Sequence, residues 1–203
     1  MDHRAKSDTL LEFADDFARV RLSEKRYGHT LRVADTAERL AHVHGLDPDR
    51  TRLASLLHDA ARETEPEEFL RLAERWNVPV GEPERQSPKL LHGPVAAELA
   101  RRELGVEDEE VLEAIRAHTT GRPGMGPIAL ALYVADKIEP ARDYPSVGRL
   151  RKLASEDLRE AATEALQRVV AHNEGRGRPI HPDSRETLAW LEETEDAAQS
   201  RVE

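Results

Sequence analysis

The sequence predicts an all-α protein folded as a single domain. Three observations carry that reading. Apolar residues recur at helical spacing through most of the 203 residues, and no convincing run alternates as a half-buried strand does. Helix start and stop residues bracket the periodic segments. Hydrophobic residues make up 38% and charged residues 34% of the chain, as expected of helices with one buried and one heavily charged face.

The helices follow in order. "TLLEFADDFARVRL" places Leu10, Leu11, Phe13, Phe17, Val20 and Leu22 near one face. "EKRYGHTLRVADTAERLAHVHG" turns Leu31, Val33, Ala34, Ala37 and Leu40 inward and stops at Gly45. "LDPDRTRLASLLHDAAR" starts with Asp47 as N-cap and Pro48 at the first helical position. "TEPEEFLRLAERW" carries a capping-box pattern, Thr64 with Glu67. "VPVGEPERQSPKLLHG" reads as a loop. "PVAAELARREL" is the next helix, ended by Gly105. "EDEEVLEAIRAHTTG" has acids at its start and Gly121 at its end. "PIALALYVADKIEPAR" is the most apolar helix and ends before Pro140. "VGRLRKLASEDLREAATEALQRVVAHNEG" makes one or two more. "RGRPIHPDS" is a loop and "RETLAWLEETEDAAQ" the last helix. With aromatics at 4%, Leu, Ala and Val must build the core.

Composition narrows the function. A balance of 30 basic against 40 acidic residues, net −10, argues against nucleic-acid binding by bulk charge. It leaves room for an anionic small substrate, because a local cluster or a metal reverses the field within one cleft. There is no cysteine, so a metal site must use His, Asp, Glu or backbone, which favours Fe, Mn, Zn, Co, Ni or Mg. "MDHRAKSDTLLEFADDFARV" is too charged for a signal peptide, and no stretch approaches the roughly 20 apolar residues of a membrane span. The expected location is the cytoplasm, with no membrane partner.

Histidine and aspartate recur at the core-facing ends of the helices: His29, the pair His58 and Asp59, His92, His118 and Asp136. A lone His on an apolar face is most often satisfied by its neighbours, and a lone Asp can be met by an Arg. Two carboxylates and four histidines on separate apolar helices favour a metal site. Neighbouring helical residues point about 100° apart, so His58 and Asp59 would flank a pair of metals rather than face one squarely, with Asp59 bridging. Two metals roughly 3.5–4 Å apart clamp the attacking and leaving oxygens of a phosphoryl displacement.

The order H … HD … H … H … D on helices resembles the HD-domain superfamily of metal-dependent phosphohydrolases. "RYGHTLRVADTAERLA", "LLHDAAR", "LLHGPVAAELA", "IRAHTTGRPGM", "YVADKIEPARDYP" and "IHPDS" are similar to one branch, the bacterial YqeK family. The resemblance covers roughly residues 20 to 190. It implies an HD-type helical bundle and symmetrical cleavage of diadenosine tetraphosphate to two ADP, with a hydroxide between two divalent metals as nucleophile. Carried over position by position, His29, His58, Asp59 and Asp136 would hold one metal, iron in that family, and His92 and His118 the second, with Asp59 bridging. Asp59, Arg62, His92 and His118 form the implied catalytic set. The position of Arg62 is commonly Lys in such proteins; Arg keeps the charge and grips phosphate with two donors. The implied division is an N-terminal helix at 1–19, the phosphohydrolase domain at 20–192 with its core over 24–145 and C-terminal helices over 146–192, and a frayed tail at 193–203.

Basic and hydroxyl residues beside these motifs are the expected substrate contacts: Arg26, one turn before His29; Arg62; Thr119, Thr120 and Gly121, offering hydroxyls and an amide; and Lys137 and Arg142. Taken alone, Lys137 reads as a solvated surface residue. His42 and His44 suit a helix C-terminus, His3 falls in a mobile terminus, and His172 reads as a cap. His181 belongs to the family-like pattern, either as a structural loop residue or beside the nucleotide. Tyr133, Tyr144, Trp76 and Trp190 read as packing residues. The nearest rival keeps the site and changes the substrate to a deoxynucleotide, guanosine polyphosphate or cyclic nucleotide; a non-catalytic nucleotide or metal sensor comes third. The oligomeric state stays open, a homodimer among the options.

Overall fold

The computed structural model describes the backbone of residues 3–199 and the side chains of residues 9–193. Eleven α-helices and one 3-10 helix follow one another: α1 (His3–Arg21), α2 (Glu24–His44), α3 (Pro48–Leu57), α4 (Pro66–Trp76), α5 (Glu82–Gln86), a 3-10 helix (Pro88–Leu91), α6 (His92–Leu104), α7 (Glu109–Ala117), α8 (Pro127–Ile138), α9 (Val147–Glu156), α10 (Leu158–Glu174) and α11 (Pro182–Gln199). No strand occurs among the described residues. The predicted all-α class is the observed one.

The centre is a bundle of α2, α3, α7 and α8, with α6 against α7 and α1 against α3. α10 lies across α8 and carries α9 and α11. The core is Leu, Ala and Val with few aromatics, Tyr133 and Phe69 being the largest fully buried side chains. α8 is buried on every side from Ile128 to Asp136, which is why its sequence is the most apolar.

Local signals placed several ends correctly. Asp47 caps α3 by accepting from the Arg50 amide, 3.0 Å, and the acids expected at the start of α7 are there, with Asp108 among them capping the Glu110 and Val111 amides, a role the sequence reading did not assign. Other expectations need correction. On α1, Phe13 and Val20 are 58% and 75% exposed, while Ala14 and Ala18, and Leu22 just past the helix, are buried; the small residues let α1 lie close on α3. The Thr64–Glu67 capping box is not formed. Glu65 is the extended N-cap of α4, because Pro66 disfavours helical geometry in the residue before it. The segment read as one loop contains α5 and the 3-10 helix, both too short to show a period. The final helix begins at Pro182, and α11 runs to Gln199, so part of the expected frayed tail is helical; residues 200–203 lie outside the described residues, as does the side chain of His3. α3 stops at Leu57 rather than continuing through Arg62, and α6 begins at His92 rather than Pro94. The last two differences build the site.

Candidate metal centre

Five helix ends converge. His29 stands one turn into α2. His58 follows the last residue of α3, with Asp59 next in the turn. His92 opens α6, His118 follows the last residue of α7, and Asp136 lies in the last turn of α8. One local device recurs three times. His58 Nδ1 lies 2.6 Å from Ser55 O, His92 Nδ1 2.6 Å from Lys89 O, and His118 Nδ1 2.7 Å from Ile115 O. Each imidazole takes the carbonyl that a continuing helix would offer to the next residue's amide. For His58 and His118 the ring therefore helps end the helix, and in all three the bond places the proton on Nδ1. The bare Nε2 then points away, into the centre. His29 reaches the same state through a side chain: its Nδ1 lies 3.1 Å from Glu139 Oε1.

Asp59 sits among these four rings. Its Oδ2 is 3.9 Å from His29 Nε2 and 3.5 Å from His58 Nε2. Its Oδ1 is 3.5 Å from His92 Nε2 and 3.8 Å from His118 Nε2. One carboxylate oxygen thus serves each pair of histidines. Asp136 Oδ1 lies 3.0 Å from His29 Nε2. His58 keeps helical backbone angles as the C-cap of α3, and Asp59 follows it in the turn. Gly93 permits the closest approach: a Cβ there would meet the carbonyls of Ile115 and Arg116 at 3.0 Å. Its absence lets α6 seat His92 against His118 on α7.

The electrostatics are those of a cation site. Burial works against the charge of Asp59, but His58, His118 and His92 outweigh it and hold the carboxyl below its usual range. Burial opposes the Asp136 charge too, and Lys137, His29, His58 and Arg142 overcome it. Burial lowers His92 to about 4, Asp59 pulling it up and Arg62 pushing it down. It lowers His118 further, with His92 and His58 acting in the same direction. Neutral imidazoles and ionised carboxylates are what a divalent cation needs.

The donor set fits such an ion. His58 Nε2 is buried without a hydrogen-bond partner, and His29 Nε2 faces the Asp136 carboxylate at 3.0 Å. His92 Nε2 and His118 Nε2 face each other at 3.0 Å. With both protons on Nδ1, that distance brings two lone pairs together unless a proton or cation lies between them. The ligand atoms of His29, His58 and Asp136 lie within 4.8 Å of one another, as do those of His58, Asp59 and His118. Bare Nε2 atoms fixed by a bond from Nδ1, with carboxylate oxygens between them, suit Fe, Mn, Co, Ni or Zn.

All six predicted ligand positions therefore meet. Arg26 Nη1 donates to Asp59 Oδ2 at 3.0 Å. Lys137 Nζ donates to Asp136 Oδ2 at 2.6 Å and Arg142 Nη2 to Oδ1 at 2.8 Å, so Lys137 is not the solvated residue it seems in isolation. The Thr119 hydroxyl lies 3.0 and 3.1 Å from the Nε2 atoms of His92 and His118. Arg62, His92, Thr119 and Thr120 form one end of a cleft of about 870 Å³, with Ile180 and His181 further along, a size that suits a nucleotide. Gly121 is a correction. Its amide already donates to Ala117 O at 2.8 Å, and at φ +74° it packs on Thr187, leaving no room for a Cβ; it shapes the turn rather than offering an amide. His181 bonds Glu84 at 2.7 Å while lining the cleft. His44 ties α2 to Ala154 O. Glu139 was missed by the sequence reading. It is buried, and it also accepts from Arg32 Nε at 2.7 Å and the Ala141 amide at 2.8 Å. Its signal was an acid directly before the helix-ending Pro140.

Helix ends that gather histidines and aspartates around one buried centre define a metal-dependent phosphohydrolase. The chain belongs to the HD domain family, which matches residues 26–141. It is 40% identical over 170 residues to the symmetrical bis(5'-nucleosyl)-tetraphosphatase of Bacillus subtilis (strain 168), a match covering 84% of this chain and 91% of that protein. It is 38% identical over 170 residues to the protein of that name from Halalkalibacterium halodurans, covering 84% and 90%. A crystal structure from Clostridium acetobutylicum, described as a predicted HD superfamily hydrolase involved in NAD metabolism, is similar with a TM-score of 0.87 at 35% identity, over 90% of this chain and 97% of that one. No described helix is long and apolar enough to cross a membrane.

Proposed function

We propose that the protein hydrolyses diadenosine tetraphosphate at its central anhydride, releasing two ADP, with two divalent metals held by its six His and Asp side chains. The observation that carries this reading is the split of Asp59, one oxygen toward His29 and His58 and the other toward His92 and His118. His29, His58 and Asp136 would hold one ion and His92 and His118 the other, with Asp59 shared. Iron is the metal implied by the resemblance; Mn, Co, Ni, Zn and Mg suit the same donors. When bound, the pair supplies charge neutralisation and water activation for an in-line displacement.

The chain's own residues do the rest. Arg26, Lys137 and Arg142 neutralise Asp59 and Asp136, and these cations are the ones free to turn toward phosphate when divalent charge meets the carboxylates. Arg62, with Nη1 3.2 Å from the His92 ring, lies at the inner end of the large cleft and grips phosphate oxygens there. Thr119 offers a hydroxyl to the same oxygens. Local positive charge admits a polyanion to an otherwise acidic protein. The catalytic unit is assigned to residues 20–192, acting in the cytoplasm.

The test is to incubate metal-quantified protein with diadenosine tetraphosphate beside a metal-stripped control and separate products by ion exchange. ADP alone, dependent on metal, is expected. AMP with ATP would overturn the cleavage position. No hydrolysis with metals bound would refute the substrate.

A further inference from the structure

We propose that a second groove, on the Lys137–Arg142 side of the centre, seats the second nucleoside of the substrate, so that the polyphosphate crosses the converged helix ends with one base at each end. The inference rests on the dinucleoside reading above. The two halves of a dinucleoside tetraphosphate are identical, and cutting the central anhydride leaves two phosphates on each. A site that fixes the central anhydride from both halves has a nucleoside seat on either side of the reacting phosphorus. The large cleft, entered past Arg62, His92 and Thr119, supplies one.

The other is a groove of about 430 Å³ lined by Lys137, Arg142, Tyr144, Val169, His172 and Asn173. Its inner end is Lys137 and Arg142, both bonded to Asp136. It shares Val169 and Asn173 of α10 with the large cleft, so the two adjoin along that helix. Tyr144 is held in place: its hydroxyl donates to Lys137 O at 2.9 Å, and the Arg168 guanidinium lies 4.6 Å from its ring centroid. An aromatic ring and a guanidinium plane are the surfaces on which bases stack. Asn173 and His172 add donors and acceptors that suit a purine edge or a ribose. A third cleft, about 370 Å³ beside Arg26 and His29, is walled by Arg32, Glu63 and Glu139 with no aromatic side chain; it suits phosphate oxygens rather than a base. His172, read from sequence as a helix cap, thereby becomes a groove residue.

The experiment is calorimetric titration of the metal-loaded protein with ADP, paired with steady-state kinetics on diadenosine tetraphosphate. Wild type should bind two ADP per chain. Tyr144→Leu should weaken one site about tenfold and leave the other intact, raising KM about tenfold with kcat largely held. Tyr144→Phe should restore both, and His172→Ala, at an exposed position, should shift the same site and KM. A single ADP per chain in wild type, or unchanged ADP binding and KM in both Tyr144→Leu and His172→Ala, would overturn the groove assignment. Failure of wild type to release ADP from the dinucleotide would count against the hydrolase reading instead, while ADP stoichiometry would still judge the groove.

Discussion

Glu139→Gln tests how the centre is held. Glu139 acts through His29. One oxygen faces His29 Nδ1 at 3.1 Å, and the other accepts from Arg32 and the Ala141 amide. Burial opposes its charge, but Arg32, the Ala141 amide and His29 keep it ionised below the usual carboxylate range. A carboxylate on Nδ1 sets the tautomer and raises the basicity of Nε2. The amide of Gln keeps the shape and an acceptor but loses the charge. Replacing such an outer partner costs roughly 10–100-fold in metal affinity, or about 1.4–2.8 kcal/mol. Metal content is titrated against a competing chelator, and kcat is measured at saturating metal. The affinity should fall within that range, kcat at saturation should stay near wild type, and Glu139→Asp should recover part of the loss. Wild-type metal affinity in a folded Glu139→Gln protein would refute the argument.

Asp59→Ala removes the carboxylate that faces both histidine pairs; metal content and turnover should vanish together, and two bound metals would contradict the bridging role. Arg62→Ala should raise KM by about tenfold or more with metal content unchanged, measured by metal analysis beside kinetics. The metal-stripped protein should lose stability on acidification. His92 has a folded pKa of about 4 against 6.5 as its ordinary value, so the folded state binds its proton less readily than the unfolded state. That contribution is complete above pH 6.5 and drains as pH falls toward 4, amounting to about 3 kcal/mol. A melting temperature flat between pH 7 and 5 would contradict it.

Much of the site was legible in the chain because its chemistry is rare in apolar surroundings. Asp136 between Val134, Ala135 and Ile138, or His58 and Asp59 after Leu56 and Leu57, stand out against a helix whose other inward residues are hydrocarbon. Glu139 was not legible, because an acid beside Pro140 looks like any helix end until His29 and Arg32, more than a hundred positions earlier, are brought to it. Gly121 misled for the converse reason: a glycine after "AHTT" suggests a free amide, and only the packed turn shows that amide bonded to Ala117 and the Cα pressed on Thr187.

Local chemistry alone determined the helical class, the capping by Asp47, the apolar identity of α8 and the six candidate His and Asp residues. These follow from periodicity, short polar caps and the cost of burying charge, all of which act over a few residues. Tertiary structure decided where α3 and α6 begin or end around their histidines, which way each Nε2 points, and which oxygen of Asp59 serves which pair. It also decided that Phe13 and Val20 face outward and that α10 links two grooves. Those outcomes depend on contacts between residues distant in the chain, and neither hydrophobic period nor capping preference encodes the direction of a ring until the helices have packed.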